Sequence, residues 1–167
     1  MKRTISVFVS LLFLTLTIAG CGGSTADTNK TANPASPTAA VAGVKFESDK
    51  FLLIVPTGWQ QMNITGGVQL YKASGEILEV SFQGFDQTAD SAKQQIESNA
   101  KLYNGTAPQE VQFLGNMFWT TTYTAAGVSQ VSYLRIQDGV TVAVKYGGPG
   151  YDTNPEFTTI LNSIVFK

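Results

Sequence analysis

The chain has 167 residues with 11 Lys or Arg and 12 Asp or Glu, which gives a formal net charge of −1 at pH 7. This balance argues against binding of nucleic acid through charge. Because histidine is absent and only one cysteine is present, Ser-His and Cys-His nucleophilic catalysis, the usual zinc sites and an internal disulfide are all excluded.

The amino-terminal segment has the pattern of a secretory signal. Lys2 and Arg3 precede residues 5–18, a run of 14 residues without a charge. Such a run is shorter than a typical transmembrane helix and fits the apolar core of a signal peptide, with a buried helix as the alternative. We predict that residues 1–20 are an export signal.

The single cysteine stands directly after this segment. Ile18, Ala19, Gly20 and Cys21 resemble the lipobox of bacterial lipoproteins. The resemblance implies that diacylglycerol modifies the Cys21 thiol, that the signal is cut before it, and that the new amino terminus is acylated with a chain such as palmitate. Two or more acyl chains hold a protein stably on a bilayer, whereas one binds marginally. An ordinary secretory signal with an incidental cysteine is the alternative.

Cleavage before the cysteine leaves a mature chain with a linker at its start. Removal of Lys2 and Arg3 leaves nine basic and twelve acidic side chains, a net charge of about −3. Residues 22–43 are rich in Gly, Ser, Thr, Ala, Asn and Pro, and as a flexible coil would span about 26 Å. We predict that residues 21–43 are a lipidated linker, with a poorly ordered start of the domain as the alternative.

Residues 44–167 are enough for one domain with its own core, and we expect this domain to fold as a monomer without metal. Segments rich in β-branched and aromatic residues, separated by turn-forming residues, predict strands. In chain order these segments are VKFES, FLLIVP, VQLYKA, ILEVSFQGF, EVQFLG, NMFWTTTYT, SQVSYLRIQ and GVTVAVKYG.

Two helices are predicted between or after these strands. Residues 88–103 carry apolar side chains at helical spacing and end at Asn104, a good stop signal. The second helix begins at Asn154, a capping residue that is followed by Pro155 at the first helical position.

Two turns near the carboxyl end predict how the strands are layered. The Ala-Gly pair at 126–127 and the Asp-Gly pair at 138–139 are typical of two-residue hairpin turns. The resulting register pairs Arg135 with Val142, Tyr133 with Val144 and Trp119 with Leu134. Both faces of this sheet are then apolar, whereas a sheet with one wet face would alternate. We therefore predict an α+β fold in which an antiparallel β-sheet is covered by helices on both faces, an α/β/α sandwich.

Both ends of the domain resemble a known family. Residues 46–73 are similar to the opening of PsbP-like proteins, where an aromatic-rich strand leads into Pro-x-x-Trp, here Pro56 and Trp59. The ending FTTILNSIVFK resembles the last helix and strand of that family and of the related DcrB-like lipoproteins. The resemblance implies an antiparallel sheet between helices and a role as an extrinsic, non-enzymatic stabiliser of membrane assemblies or as an envelope protein. Pro56 and Trp59 match the family's motif as residues of the fold, and no binding residue of the family can be assigned to this sequence.

Other candidate sites have simpler interpretations. Glu76 and Glu79 could form the carboxylate pair of a hydrolase, although solvated charges explain them as well. Glycine-rich residues 146–156 could cradle a phosphate, but no lysine follows at the spacing of a phosphate loop. Trp59 and Trp119 are either ligand platforms or core residues. The sequence predicts no metal and no cofactor.

A possible binding patch lies on the predicted carboxyl-terminal hairpins. In the register above, Thr120, Thr122, Tyr133 and Arg135 share one face, and Arg135 is the only arginine after the predicted cleavage site. An arginine in mid-strand either reaches water along its apolar stem or meets an acidic partner. The alternative is that Arg135 stacks on Phe118 at the sheet rim.

Together these features predict a lipid-anchored, extracytoplasmic and non-enzymatic binding protein, an accessory to a bacterial envelope or membrane complex. Its partners would be the membrane, through Cys21, and an envelope protein. A small-ligand carrier and a carboxylate-based hydrolase are the alternatives. Because Gly22 rather than aspartate follows Cys21, similarity to sorting signals implies the outer membrane in a cell with two membranes, and the outer face of the cell membrane otherwise.

The lipobox interpretation predicts the behaviour of a Cys21→Ser variant. Without the thiol no diacylglycerol can be attached, so the variant should leave the detergent phase in phase partitioning and lose the lipid mass by mass spectrometry. Unchanged partitioning, with no diacylglyceryl mass on the wild-type chain, would refute the lipid anchor.

Overall fold

A computed structural model describes residues 42–167, which form ten strands and two helices. The predicted signal, Cys21 and nearly all of the predicted linker lie outside the described residues. The elements are β1 Gly43–Glu47, β2 Phe51–Pro56, β3 Gln60–Ile64, β4 Gly67–Tyr71, β5 Ile77–Gln83, α1 Ala89–Leu102, β6 Gln109–Phe113, β7 Asn116–Ala125, β8 Val128–Gln137, β9 Val140–Gly147, α2 Pro155–Asn162 and β10 Val165–Phe166. Neither helix of residues 42–167 has the length and apolarity that a membrane span requires.

The strands form two sheets, and every pair is antiparallel. The large sheet has seven strands in the order β3-β4-β5-β9-β8-β7-β6, and the small sheet has three in the order β1-β2-β10. The strand signals predicted neither the division into two sheets nor β3, whose sequence QQMNI is polar and mostly exposed. Local propensity is weak there, and pairing with β4 makes the strand.

The predicted hairpin register is confirmed. Tyr133 pairs with Val144, and Trp119 pairs with Leu134. The first turn residue of each hairpin, Ala126 or Asp138, has φ near +51°, and the glycine after it also has a positive φ. Two successive positive φ angles suit the right-handed twist of the strands, so these turns set the register of β7, β8 and β9.

Helix α1 packs on one face of the large sheet, across β7 and β8. Ala92 and Ile96 form a small core with Leu134, against which three half-buried side chains pack: Trp119, Ile136 and Ala143. The helix begins after Thr88, and the Thr88 amide donates to the Ser91 hydroxyl at 3.1 Å in a capping box at this boundary.

The main core lies on the other face of the large sheet. There the large sheet packs against a mixed layer of α2 and the small sheet. Its buried members are Phe51, Leu53, Val55, Trp59, Val68, Leu70, Leu78, Val80, Val144, Phe157, Ile160, Leu161 and Ile164. Ser163 ties α2 to the small sheet, because its hydroxyl accepts a hydrogen bond from the Ile54 amide at 2.9 Å. The predicted covering of both faces by helices is therefore not confirmed, because α2 shares this face with the three strands of the small sheet.

Helix α1 covers only part of the sheet face on which it packs. A helix is about 10–12 Å wide and strands are about 4.8 Å apart, so α1 spans roughly two of the seven strands. Beyond it, four side chains of β4 and β5 on the α1 side are polar, namely Gln69, Glu79, Ser81 and Gln83, and Tyr71 and Ile77 lie at the far end of this strand pair. The sheet is thus largely polar beside the helix.

Because Phe157 packs at the centre of this mixed layer, we expect the Phe157→Ala substitution to lower the stability of the domain strongly. Phe157 is 1% exposed and packs against Trp59 and Tyr146 at ring-centroid distances of 5.5 and 5.1 Å. The substitution should lower the free energy of unfolding by about 3–5 kcal/mol in urea denaturation followed by tryptophan fluorescence. Phe85, 84% exposed, is the matched control, and Phe85→Ala should change it by less than about 0.5 kcal/mol. Equal midpoints for the two variants would contradict the packing.

Candidate functional site

The four residues of the predicted patch lie together on the face of the main core, and we call them the β7–β8 patch. Thr120 is paired with Tyr133 across β7 and β8, and Thr122 and Arg135 lie two residues along their respective strands. All four side chains are half-buried. The hairpin register therefore places these residues as the sequence indicated.

Tyr133 belongs to a row of aromatic rings that crosses the sheet. Its ring stacks on Phe113 at a centroid distance of 3.9 Å and on Tyr146 at 6.1 Å. Tyr146 in turn packs against Phe157 of α2 and Tyr151. The row extends from the edge strand β6 to α2, so the patch is built on a rigid base.

Arg135 stacks on aromatic rings, as the alternative interpretation had it. Its guanidinium carbon lies 5.3 Å from the Phe118 ring centroid and 5.1 Å from that of Phe166, and Nη2 donates to Gln137 Oε1 at 2.5 Å. Burial lowers the pKa of the guanidinium, and Asp138 opposes this. Arg135 takes part in none of the five ion pairs of residues 42–167.

A groove of about 270 Å³ runs beside the patch, and Thr120, Thr122 and Tyr133 line it with Gln109 of β6. The loop before β6 is fixed against β7 by threonine hydroxyls: Thr121 Oγ1 donates to the Thr106 carbonyl at 2.7 Å. Thr120 Oγ1 is buried and has no hydrogen-bond partner within residues 42–167. Buried polar groups are nearly always paired, so this hydroxyl is an exception. Because Thr120 lines the groove, a change of its χ1 rotamer would turn the hydroxyl toward a group bound there.

The candidate carboxylates do not face one another. Glu76 accepts a hydrogen bond from the Ser74 hydroxyl, which lowers the pKa of its carboxyl, and Glu79 forms an ion pair with Lys145 at 3.3 Å. Glu79 lies on the α1 side of β5, whereas Glu76 lies in the turn before it, near Lys72. Within residues 42–167 no group of three or more acidic or thiol side chains is arranged to hold a metal ion.

The glycine-rich segment ends in the residue that caps the start of α2. Asn154 Oδ1 accepts from the Glu156 amide at 2.9 Å, so the side chain of Asn154 occupies the first turn of α2. Gly148 fits tightly against Glu76, because a Cβ on it would come within 2.7 Å of the Glu76 Cα. Close backbone packing explains the glycine at this position.

The two tryptophans are packing residues in this structure. Trp59 is 7% exposed and belongs to the main core, where it packs edge-on against Phe157. Trp119 packs beside α1, with Lys93 Nζ 5.3 Å from its ring centroid. Neither ring is an open platform for a ligand.

Comparison with known proteins identifies the fold. No protein-family profile and no curated protein sequence matches the chain. The structure is similar to the solution structure of cyanobacterial PsbP (CyanoP) from Synechocystis sp. PCC 6803, with a TM-score of 0.53 and 13% identity over 80% of this chain and 98% of that chain. The fold is PsbP-like. A 1.50 Å crystal structure from Bacteroides thetaiotaomicron VPI-5482 is also similar, with a TM-score of 0.50 and 14% identity over 75% of this chain and 48% of that chain.

The PsbP-like domain has a second concavity that the sequence did not indicate. It lies between the carboxyl-terminal half of α1 and the polar part of the large sheet, has a volume of about 240 Å³, and we call it the α1 cleft. Its lining residues are Glu79, Gln83, Gln95, Asn99, Tyr103, Tyr123, Ser132, Leu134, Ala143 and Lys145. These come from five elements and the end of α1, so no local motif could have revealed them.

The aromatic row predicts a loss of stability at alkaline pH. Burial and the neighbouring Tyr133 raise the pKa of Tyr146 above its ordinary value of 10.0. The unfolded chain therefore loses the phenol proton first, so the stability from neutral Tyr146 is complete below pH 10 and falls as the pH rises further. The melting temperature of Tyr146→Phe should fall less between pH 9.5 and 11.5 than that of the wild type. Tyr71→Phe, at an exposed position, should follow the wild type, and parallel curves for all three would contradict the prediction.

Proposed function

We propose that this protein is a lipid-anchored, extracytoplasmic accessory protein that binds a protein partner of a bacterial envelope or membrane complex through the β7–β8 patch, without catalysis. The PsbP-like fold supports this proposal through the resemblance stated above. The resemblance of residues 18–21 to a lipobox supports the anchor, and Gly22 favours the outer membrane in a cell with two membranes.

The unpaired hydroxyl of Thr120 is the observation that carries the proposal. It lies in a groove of mixed polar and apolar lining, beside Tyr133 and next to the edge strand β6. Aromatic side chains with a few hydrogen-bonding groups are typical of the buried centre of a protein interface. After a χ1 rotation toward the groove, Thr120 Oγ1 would accept from or donate to a group of the partner.

The chemistry of the chain supports a role without catalysis. The sequence has no histidine, and its one cysteine is assigned to lipid. Glu79 is neutralised by Lys145, and Glu76 is held by Ser74, so neither carboxylate is placed to act with a second one. A hydrolase would require two carboxylates on one cleft.

Site-specific photocrosslinking in native membranes tests the patch. A photoreactive benzoylphenylalanine at Gln109, which is exposed in the groove, should give one discrete crosslinked species. The same group at Gln61, also exposed but on β3 at the other end of the sheet, is the matched control and should not give it. The same pattern from both positions would refute the patch.

Thr120→Val separates binding from folding. Removal of a buried, unpaired hydroxyl should leave the free energy of unfolding unchanged or raise it by about 1 kcal/mol, while it weakens the Gln109 crosslink. Thr158→Val, on the exposed side of α2, should change neither quantity. Thr120 is a better test position than Arg135, because truncating Arg135 would also remove its packing on Phe118 and Phe166. A crosslink unaffected by Thr120→Val would exclude the hydroxyl as a contact.

A further inference from the structure

The α1 cleft contains opposite charges that cancel. Glu79 and Lys145 are paired across β5 and β9, with 3.3 Å between their charged groups. A row of hydrogen bonds continues along β5, since Ser81 Oγ donates to Glu79 Oε1 at 3.1 Å and Gln83 Nε2 donates to Ser81 Oγ at 2.9 Å. A charged ligand would have to compete with this pair, so the cleft favours an uncharged one.

The groove that continues from the α1 cleft is uncharged throughout. It has a volume of about 490 Å³ and shares Gln83 and Gln95 with the cleft. Its lining residues are Gln83, Gly84, Gln87, Ser91, Gln94, Gln95, Ser98 and Thr141. Amides and hydroxyls both donate and accept hydrogen bonds, which suits a ligand that does the same along its length. An apolar ligand would remove water from the exposed amides of Gln94 and Gln95 without replacing its hydrogen bonds.

Two stacked tyrosines border the α1 cleft at its other end. The rings of Tyr103 and Tyr123 lie 4.9 Å apart and nearly parallel. Both also line a hollow of about 500 Å³ on their far side, and Tyr103 is 41% exposed. Burial raises the pKa of Tyr123 above its ordinary value of 10.0. The pair offers an aromatic surface beside polar groups.

We propose that the α1 cleft binds a neutral saccharide unit and that the adjoining groove accommodates the next unit of a chain. A pyranose has hydroxyls that donate and accept, matching the glutamines, Asn99 and the ion pair, and a C–H face that packs on a tyrosine ring. The cleft is smaller than the usual 300–1,000 Å³ of a site for a drug-sized molecule, as one sugar ring requires. This inference goes beyond the proposed function and does not rest on it.

Saturation-transfer NMR on the full-length chain, in a detergent without a sugar headgroup, tests the inference. The probes are the methyl glycosides of glucose, galactose, mannose and N-acetylglucosamine, together with cellobiose and chitobiose. We expect at least one monosaccharide to bind with a Kd on the order of millimolar. If it is glucose or N-acetylglucosamine, cellobiose or chitobiose respectively should bind about tenfold more tightly. Because the ligand is neutral, the Kd should not change between 50 and 500 mM salt.

Matched variants locate the binding. Tyr103→Ala and Asn99→Ala should each weaken it at least about tenfold, whereas Tyr71→Ala and Asn162→Ala, at exposed positions outside the cleft, should leave it unchanged. The Thr120→Val variant should bind the saccharide as tightly as the wild type. The Gln109 crosslink therefore tests the β7–β8 patch and saccharide binding tests the cleft, and either can fail without the other. No binding by any probe at 50 mM, or binding insensitive to Tyr103→Ala, would overturn the proposal. Tighter, salt-dependent binding of free lysine or glutamate would overturn the neutral ligand class.

Discussion

The arrangement of this domain depends on two tight turns. Side chains alternate along a strand, so a slip of one residue at Ala126 would turn β7 over relative to β8, and a slip at Asp138 would do the same to β9. The turns instead hold Leu134 under α1 and Tyr133 in the main core. The small core, the aromatic row and the β7–β8 patch all follow from that one register.

A second constraint is the mismatch between one 14-residue helix and a seven-stranded sheet. Because α1 cannot cover all the strands, the face beside it has to be polar, and the fold meets this requirement with Glu79, Ser81 and Gln83 on β5. Their hydrogen bonds to one another keep these groups satisfied while leaving room beside the helix. The α1 cleft therefore results from the difference in width between the helix and the sheet.

The sequence predicted those features that short-range patterns encode. Both helices, the two hairpin turns and the shared face of Thr120 and Tyr133 could be predicted, because caps, turn residues and alternation are local. The small sheet could not, since β2 pairs with β10 from the far end of the domain. Strand β3 lacks apolar alternation, and the α1 cleft gathers side chains from distant segments. These features depend on contacts between residues far apart in the sequence, which the pattern of a single segment does not reveal.

The position of β2 has a consequence for the rate of folding. This strand contributes Phe51, Leu53 and Val55 to the main core, yet it is completed by β10, whose Val165 lies opposite Leu52. Strands from opposite ends of the domain must therefore meet before the main core is closed. Such contacts between distant residues place folding on a timescale of about milliseconds or longer.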